Sequence, residues 1–412
     1  MNRSSYCFAL PLSIVALSVG NGLILNSAYG HGEEADYEPG TRVEAALAAT
    51  WRDEGVVVNS NGIWQIPGVM MGGEAYPVEE GVALDDAYLD VHHFDDSGWY
   101  GRIQVATHDN GREAEMHHAY AGYRSDMQPL LLQAEVGRMA AMLTPANLEH
   151  GTQRLFSEAP LALDAFFGGQ LNDEGMRAML SRSGFCLGIE SWRGSAFPAT
   201  PGTSGGAYDV FLHYKGGRGP LNWHAGLWGY QAQALGRVDQ RYGSGHSHGN
   251  TAQISAPEVA FDGDTDAAGA FIRARWHATE QIALALEGQW MQVEPEGDIR
   301  DASRIATTTG EYTGSWLQGV ISVGQHDIGV RFEQLVLENR VSGAAAQELA
   351  NLTGLYNDAH EPERSGIVYR WRANSGWSLR LEYTIDDSMP ESGERVALGL
   401  VWKETLYHSR RD

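Results

Sequence analysis

The sequence is poor in cysteine and lysine and contains few long apolar runs. Among its 412 residues there are 2 cysteines, Cys7 and Cys186, and lysine occurs only at Lys215 and Lys403. Because Cys7 lies in a predicted signal peptide, Cys186 remains as a single thiol, which excludes a disulfide framework and a cysteine-based zinc site. Beyond residue 30 no apolar run reaches the roughly 20 residues that a membrane helix needs.

Positive charge is also scarce, since 29 basic residues face 53 acidic ones and the formal net charge is −24. An acidic balance of this size argues against nucleic acid as a partner. Much of the negative charge falls outside the segments of alternating polarity described below, including residues 258–266 and 294–298, which we predict to be acidic loops.

The first thirty residues have the pattern of a secretory signal peptide. Arg3 is followed by an apolar stretch over residues 8–19 and by the small-x-small sequence Ala28-Tyr29-Gly30. This pattern predicts cleavage before His31. We therefore assign residues 1–30 to a signal peptide and residues 31–412 to one domain.

The rest of the chain alternates between apolar and polar residues. In residues 377–385, for example, Trp377, Leu379 and Leu381 alternate with Ser378, Arg380 and Glu382. A period of two residues indicates β-strands. Sixteen strands are predicted, at 41–52, 82–93, 98–108, 113–123, 130–138, 168–181, 185–193, 205–215, 220–232, 265–277, 280–293, 311–323, 326–337, 364–373, 376–386 and 394–403.

The connections between these strands are sorted by length. Even-numbered strands are followed by tight turns, whereas odd-numbered strands are mostly followed by long connections. A soluble β-sandwich also alternates, but it has no reason to sort its loops, whereas outer-membrane barrels have short periplasmic turns and long extracellular loops. The sequence therefore predicts an all-β, transmembrane antiparallel barrel of about sixteen strands. The long connections are predicted at 53–81, 139–167, 194–204, 233–264, 294–310 and 338–363.

One long connection, residues 139–167, is rich in large apolar residues without a regular period, including Leu155, Phe156 and Phe166. A long loop inside a compact domain is usually functional. A disordered surface loop would be poorer in apolar residues. We predict that this loop folds inward and constricts the pore.

If the apolar face meets lipid, the opposite face lines a lumen that is rich in arginine and carboxylate. Facing charges could set up a transverse field across a narrowed pore, or they could be paired charges that order a wet interior; the sequence leaves both readings open. The predicted pore-lining residues are Arg102, Glu115, Glu135, Arg138, Arg154, Arg273, Arg275, Glu287, Arg331, Glu333, Arg370 and Arg380.

Several histidines lie close together in the sequence. In a regular strand adjacent residues point to opposite faces, so the pairs His92-His93 and His117-His118 are predicted not to chelate one ion. His246 and His248 flank a serine in a Gly/Ser-rich stretch and are the candidates for a weak zinc site. No cofactor is predicted otherwise. No catalytic constellation stands out, and we expect no enzymatic activity.

Several motifs resemble a family of zinc-regulated, TonB-dependent-receptor-like outer-membrane proteins that is distantly similar to phosphate-selective porins. The similar blocks are Glu135 to Arg138, Asn147 to His150, Ala165 to Gly175 and Gly194 to Ala199. The resemblance implies an outer-membrane barrel connected with zinc. A true TonB-dependent receptor has a plug domain and about 22 strands, which the 382 residues after the signal peptide (412 − 30) cannot hold.

Together these observations predict a porin-like channel in the cell outer membrane, in contact with its lipid, for passive uptake of small solutes. From the resemblance, zinc or another divalent cation is an expected solute. The alternative is a non-conducting surface barrel whose loops at 233–264 and 338–363 bind a metal or a protein partner. Sixteen-stranded porins are often trimers, so a homotrimer is one expected assembly, although no residue pattern marks an interface.

Overall fold

The computed structural model describes residues 39–59, 62–108, 114–200, 206–242, 258–356, 358–373 and 376–410. The predicted signal peptide therefore lies outside the described residues. The strands are β1 Gly40–Arg52, β2 Gly81–Phe94, β3 Trp99–His108, β4 Ala114–Met127, β5 Leu130–Ala140, β6 Asn172–Arg182, β7 Phe185–Trp192, β8 Ala207–Arg218, β9 Leu221–Arg237, β10 Ala260–His277, β11 Ile282–Arg300, β12 Ile305–Val323, β13 His326–Ser342, β14 Glu363–Arg372, β15 Trp377–Asp387 and β16 Gly393–Arg410.

These sixteen strands form a closed antiparallel barrel in which every strand pairs with its neighbours in sequence. Strands β1 and β16 close the barrel along a ladder that runs from Gly40 opposite Arg410 to Arg52 opposite Ala397. Closure leaves no open sheet edge. A membrane-spanning sheet must be closed in this way, because unpaired backbone groups cannot be satisfied in lipid. The predicted fold class is confirmed. Among the described residues, no helix is long and apolar enough to cross a membrane.

The outer surface of the barrel carries the apolar half of the alternation. Outward-facing residues such as Val136, Ile189, Leu227 and Phe332 are each about half exposed or more. A continuous apolar belt of this kind, on a closed barrel, is the lipid-facing surface of a membrane protein.

Aromatic side chains pair across neighbouring strands at the end of the barrel that carries the short turns. The ring centroids are 5.0 Å apart in Trp99–Tyr123, 4.5 Å apart in Phe185–Tyr214 and 6.0 Å apart in Trp377–Trp402. Such pairs form the aromatic girdle at one membrane interface. The short-turn end is therefore the periplasmic end.

Strands β10 to β13 extend further beyond the membrane than the alternation predicted. The acidic segments 258–266 and 294–298 lie largely in β10 and β11 and not in loops, and Asp264 is directly opposite Glu296. The predicted loop 294–310 is reduced to residues 301–304, where the Asp301 side chain accepts hydrogen bonds from the backbone N–H groups of Ser303 and Arg304. Acidic side chains on the outer face place this part of the sheet in water.

Within the described part of the chain, three short helices occur in the connections at the extracellular end. They are α1 Pro145–Leu148 and α2 Leu161–Phe167, between β5 and β6, and α3 Ala346–Thr353, between β13 and β14. Gly168 caps the C-terminus of helix α2, and both Gly168 and Gly169 adopt positive φ angles, of 65° and 94°. Because this left-handed turn cannot continue into a strand, β6 begins at Asn172 and not at the predicted residue 168.

Candidate functional site: the constricted lumen

Two connections that the structure describes fold into the barrel. The one between β5 and β6, residues 141–171, comes later in the chain and is called here the second inward segment. Its two ends are tied together by Asn147, whose side-chain nitrogen donates to the carbonyl oxygens of Ala141 (2.8 Å) and Leu171 (3.1 Å). The Asn147 side-chain oxygen accepts from the Leu171 N–H at 2.8 Å. The inward-folded segment predicted over residues 139–167 begins at residue 141, because residues 139 and 140 belong to β5.

The far side of the second inward segment is anchored to the wall formed by β13 to β16. Glu158 forms ion pairs with Arg364 (2.9 Å) and Arg395 (3.0 Å). The Glu382 carboxylate on β15 accepts hydrogen bonds from both the backbone N–H and the hydroxyl of Ser157, each at 3.0 Å. These contacts hold the tip of the segment against the wall.

Other contacts join the same segment to the rest of the barrel wall. The Thr152 N–H donates to Asp86 on β2 (3.0 Å), and His150 hydrogen-bonds Gln104 on β3 (2.7 Å). Glu149 forms an ion pair with Arg273 on β10 at 2.6 Å. The segment is thus attached on several sides and spans the lumen.

The connection between β1 and β2, residues 53–80, also folds into the lumen and is called here the first inward segment. The Trp64 N–H donates to the Tyr242 hydroxyl (3.0 Å), and the Gly68 carbonyl accepts from Asn339 (2.7 Å). The alternating pattern alone predicts that this stretch is an external connection. The signal that could have found it is the one used for residues 139–167, a high density of apolar residues over 63–71.

The two inward segments meet at a pair of glycines. The Glu74 N–H donates to the Gly168 carbonyl at 2.9 Å. A Cβ atom on Gly168 would lie 2.7 Å from the Cα of Gly73, so a larger residue would separate the two backbones.

An apolar core fills one side of the lumen between these segments and the wall. It contains Trp64 and Ile66 from the first inward segment and Phe166 and Phe167 from the second. Phe166 stacks on Tyr312 of β12 with ring centroids 5.9 Å apart. Inward-facing wall positions that a water-filled pore would leave polar are here large and apolar, such as Phe211 on β8.

A polar cavity of about 150 Å³ lies beside this core, between the two inward segments and the wall. It includes the side chains of His150 and Gln170. Carboxylates outnumber arginines six to two among its charged lining residues, which are Arg52, Glu74, Glu79, Asp85, Glu149, Arg154, Glu158 and Asp164.

Two carboxylates of the second inward segment have opposite pKa shifts. For Glu158, burial is outweighed by the guanidinium groups of Arg395 and Arg364, which lower the pKa to about 2. For Asp164, burial dominates over the attraction of Arg364 and Arg154 and raises the pKa to about 7. Glu158 therefore stays ionised, whereas Asp164 changes its charge near neutral pH.

All but one of the twelve predicted pore-lining residues fall into three groups. Most lie at inward-facing strand positions, and Arg154 lies on the second inward segment. Glu115 is exposed near the extracellular end of β4, in register with the inward-facing Ala106. The inward-facing group consists of Arg102, Glu135, Arg273, Arg275, Glu287, Arg331, Glu333, Arg370 and Arg380.

Arg138 is the exception, because the structure places it on the outer face. It lies three residues after the inward-facing Glu135 and is opposite the exposed Glu174 on β6. Residues three apart on a strand point to opposite sides of the sheet. The prediction that Arg138 lines the pore is therefore wrong.

Several of the inward-facing arginines are held in ion pairs. Glu333 binds Arg331 (2.8 Å) and Arg364 (2.9 Å), and Asp85 binds Arg52 (2.8 Å) and Arg380 (3.1 Å). These contacts fit the reading of paired charges that order the interior. Sequence reasoning missed Asp85, Glu158 and Asp164, because none of them belongs to a regular period-two pattern.

The histidine prediction also needs correction. Strand β4 has a β-bulge, since Gln104 pairs with His118 and Val105 pairs with Met116, which leaves His117 as the extra residue. A bulge breaks the alternation, so His117 and His118 are both buried on the inner side. One ring nitrogen from each of His117, His118 and His150 lies within 4.8 Å of the other two. The predicted zinc candidates His246 and His248 lie outside the described residues.

The fold can be compared with known proteins. No protein-family model matches the chain, and no curated protein matches it by sequence. Among solved structures, OprB of Pseudomonas putida is similar with a TM-score of 0.50 and 10% identity, over 90% of this chain and 95% of OprB. OmpF of Salmonella typhi, in complex with daunomycin, has a TM-score of 0.50 and 9% identity over 90% and 99% of the two chains.

This chain has the fold of an outer-membrane porin. At these identities the likeness concerns the fold, and the solute of this barrel has to be argued from its own lumen. The resemblance to a zinc-regulated, receptor-like family stays a prediction.

Proposed function

We propose that this protein is a porin-like passive channel of the outer membrane that prefers small cations. The observation that carries the proposal is the polar cavity between the two inward segments, with its excess of carboxylates inside a closed, lipid-facing barrel. In a low-dielectric barrel, a lining of one dominant charge raises the local concentration of the opposite ion. The finer expectation, that zinc or another divalent cation is the solute, rests on the family resemblance alone.

The test is single-channel recording in planar bilayers with a potassium chloride gradient. We expect discrete conductance steps and a reversal potential of the sign that cation preference gives. Glu74→Gln and Glu79→Gln, which remove two exposed carboxylates at the cavity, should move the reversal potential towards zero. Glu280→Gln is the matched control, because Glu280 is exposed in the turn between β10 and β11, away from the cavity.

A second candidate function is supported by the apolar core that fills part of the lumen. Two inward segments packed around Trp64, Leu161 and Phe167 resemble a plug more than a simple constriction. The second candidate is therefore a non-conducting surface barrel whose extracellular parts bind a metal or a partner. Absence of conductance steps from folded, heat-modifiable protein would favour it over the channel. A homotrimer is expected only by analogy with porins of this size.

A further inference from the structure

Three buried histidines from two separate elements meet inside the barrel. His117 and His118 belong to β4 and His150 to the second inward segment, and their exposed fractions are 6%, 6% and 3%. The ring centroids of His117 and His150 are 4.4 Å apart, and those of His117 and His118 are 4.7 Å apart. We infer that this cluster binds one divalent transition-metal ion, such as Zn²⁺, and that the ion ties the second inward segment to β4.

The β-bulge at His117 makes the site geometrically possible. In a regular strand two successive imidazoles diverge to opposite faces, and one of them would meet lipid here. The bulged residue and its neighbour can both point inward, and bulges often re-aim a side chain next to a functional site. His150 then approaches the pair from the lumen side, which gives three imidazole donors without any cysteine.

Hydrogen bonds from neighbouring side chains orient two of the three rings. The Nε2 atom of His117 bonds the side-chain oxygen of Gln170 at 2.6 Å, and Nε2 of His150 bonds that of Gln104 at 2.7 Å. Because an amide oxygen only accepts, each Nε2 carries the proton, and the lone pair of each of these two rings lies on Nδ1. In His117 that atom lies 3.5 Å from the side-chain nitrogen of Asn172, a contact that a bound ion would replace. The Nδ1 atom of His118 is buried and has no hydrogen-bond partner.

A carboxylate next to the cluster can complete the coordination. Asp86 on β2 is fully buried, and its Oδ1 atom lies 3.5 Å from Nδ1 of His150. Its other oxygen accepts the Thr152 N–H at 3.0 Å, which fixes the orientation of the carboxylate. Asp86 is thus placed to supply a fourth ligand, and a water molecule fills the fourth position if it does not.

The donor set selects a class of ion. Three imidazoles with one carboxylate suit Zn²⁺, Co²⁺, Ni²⁺ and Cu²⁺, whereas Ca²⁺ and Mg²⁺ require oxygen-rich sites. In a tetrahedral zinc site with bonds of about 2.0–2.1 Å the ligand nitrogens are about 3.3 Å apart. The candidate ligand nitrogens of the three histidines lie within 4.8 Å of one another. Each distance between two nitrogens therefore has to shorten by about 1.5 Å at most to form such bonds.

The site is reachable from the polar cavity, because His150 and Gln170 line both. An ion held by β4 and His150 would crosslink the barrel wall to the constriction. A ligand that binds the folded state alone stabilises it. The inference concerns metal binding by the folded barrel and does not depend on whether the barrel conducts.

The experiment is a metal titration of the tag-free barrel, purified in detergent and stripped with a chelator. Zn²⁺ is followed by calorimetry, and Co²⁺ by its visible absorption, in which a tetrahedral site gives intense d–d bands. We expect one ion per chain, a tetrahedral Co²⁺ spectrum in the wild type, and at least a tenfold loss of affinity in His118→Ala and His150→Ala. Gln104→Ala, which removes an orienting hydrogen bond, should weaken binding about 10- to 100-fold.

Matched controls are His213→Ala and His224→Ala, which change two other inner histidines whose rings are 5.1 Å apart and lie outside the cluster; both should bind metal as the wild type does. Folding of every variant is checked by heat modifiability on gels. His150→Gln provides a milder change if an alanine variant fails to fold. The inference is overturned if the wild type binds neither ion, or if binding survives the cluster variants and is lost on changing His246 and His248 together.

Discussion

Carboxylates only six residues apart behave differently inside this barrel. Glu158 lies between two guanidinium groups and has a pKa of about 2, whereas Asp164 on α2 has a pKa of about 7 because burial dominates there. The difference between them is set by which wall residues each one faces. Near neutral pH, Asp164 is therefore a group of the constriction whose charge responds to pH.

The first prediction concerns this charge. Cation preference should rise as the pH increases from 5 to 9, because Asp164 ionises near pH 7 and adds a negative charge to the cavity. Asp164→Asn should give a flatter profile, which is checked by reversal potentials in a salt gradient at several pH values. A variant that keeps the full pH dependence would show that another group titrates.

The same shift has a consequence for stability. Because the folded protein holds the Asp164 proton more tightly than the unfolded chain, this group's stabilising contribution is complete below its ordinary pKa of 3.8 and is lost as the pH rises to about 7. Denaturant unfolding of the wild type and of Asp164→Asn between pH 4 and 8 should show the larger pH dependence in the wild type.

The second prediction concerns the outer face. Leu381 is outward-facing, 46% exposed, and paired with Leu398 in the middle of β15. Leu381→Arg should lower the free energy of unfolding by about 2–4 kcal/mol, because a charge at the membrane midplane is poorly solvated. Leu406→Arg is the control at the periplasmic end of β16 and should cost about 0–1 kcal/mol. Equal costs in lipid-vesicle unfolding experiments would contradict the assigned membrane position.

At the scale of elements, the second inward segment is held by residues that are distant in sequence. Ser157 is bound by Glu382, which is 225 residues away, and Glu158 by Arg395, 237 residues away. The segment therefore depends on a finished barrel for its position, and it is the part of the lumen that conductance should report on.

The third prediction concerns this segment. Deletion of residues 145–160 should raise single-channel conductance while the barrel remains folded, because the deleted stretch includes the anchors to β13–β16. Glu382→Gln, which weakens the bonds to Ser157 without removing chain, should give a smaller rise and noisier current. Unchanged conductance in a correctly inserted deletion variant would mean that the first inward segment, or the apolar core, sets the limit.

At the scale of the whole molecule, stability depends on closing the ladder between the first and last strands. Residues 40–46 of β1 pair with the last part of β16, from Arg410 to Lys403. A barrel missing these partners would expose an unpaired strand edge. The backbone N–H and C=O groups of that edge cannot be hydrogen-bonded in lipid, and at the aqueous end they favour aggregation.

The fourth prediction follows from this seam. Truncation after Trp402 should reduce the fraction of heat-modifiable, protease-resistant barrel, because residues 40–46 lose their partners. Removal of residues 411 and 412 alone is the matched control and should leave this fraction unchanged, since the ladder ends at Arg410. A truncated barrel that folds as well as the control would show that the seam closes without its periplasmic half.

The sequence by itself determined the architecture. Side-chain alternation is a local property of an extended chain, so the sixteen strands, the sorting of short and long connections and the apolar outer face could all be predicted from neighbouring residues. The inward fold of residues 139–167 was also predictable, because its apolar side chains need burial. Strand ends in β10 to β13 were less predictable, since acidic residues form strands there only through pairing outside the membrane.

Only the tertiary structure decided what meets inside the barrel. The bulge that turns both His117 and His118 inward depends on how β4 pairs with β3. The local sequence does not predict that His117 has no partner residue on β3. The position of Arg138 on the outer face, the burial of the first inward segment and the ion pairs of Glu158 likewise depend on residues far away in the chain. Alternation fixes which side of a strand a residue takes, but register, bulges and loop contacts fix its neighbours, and the neighbours determine the chemistry.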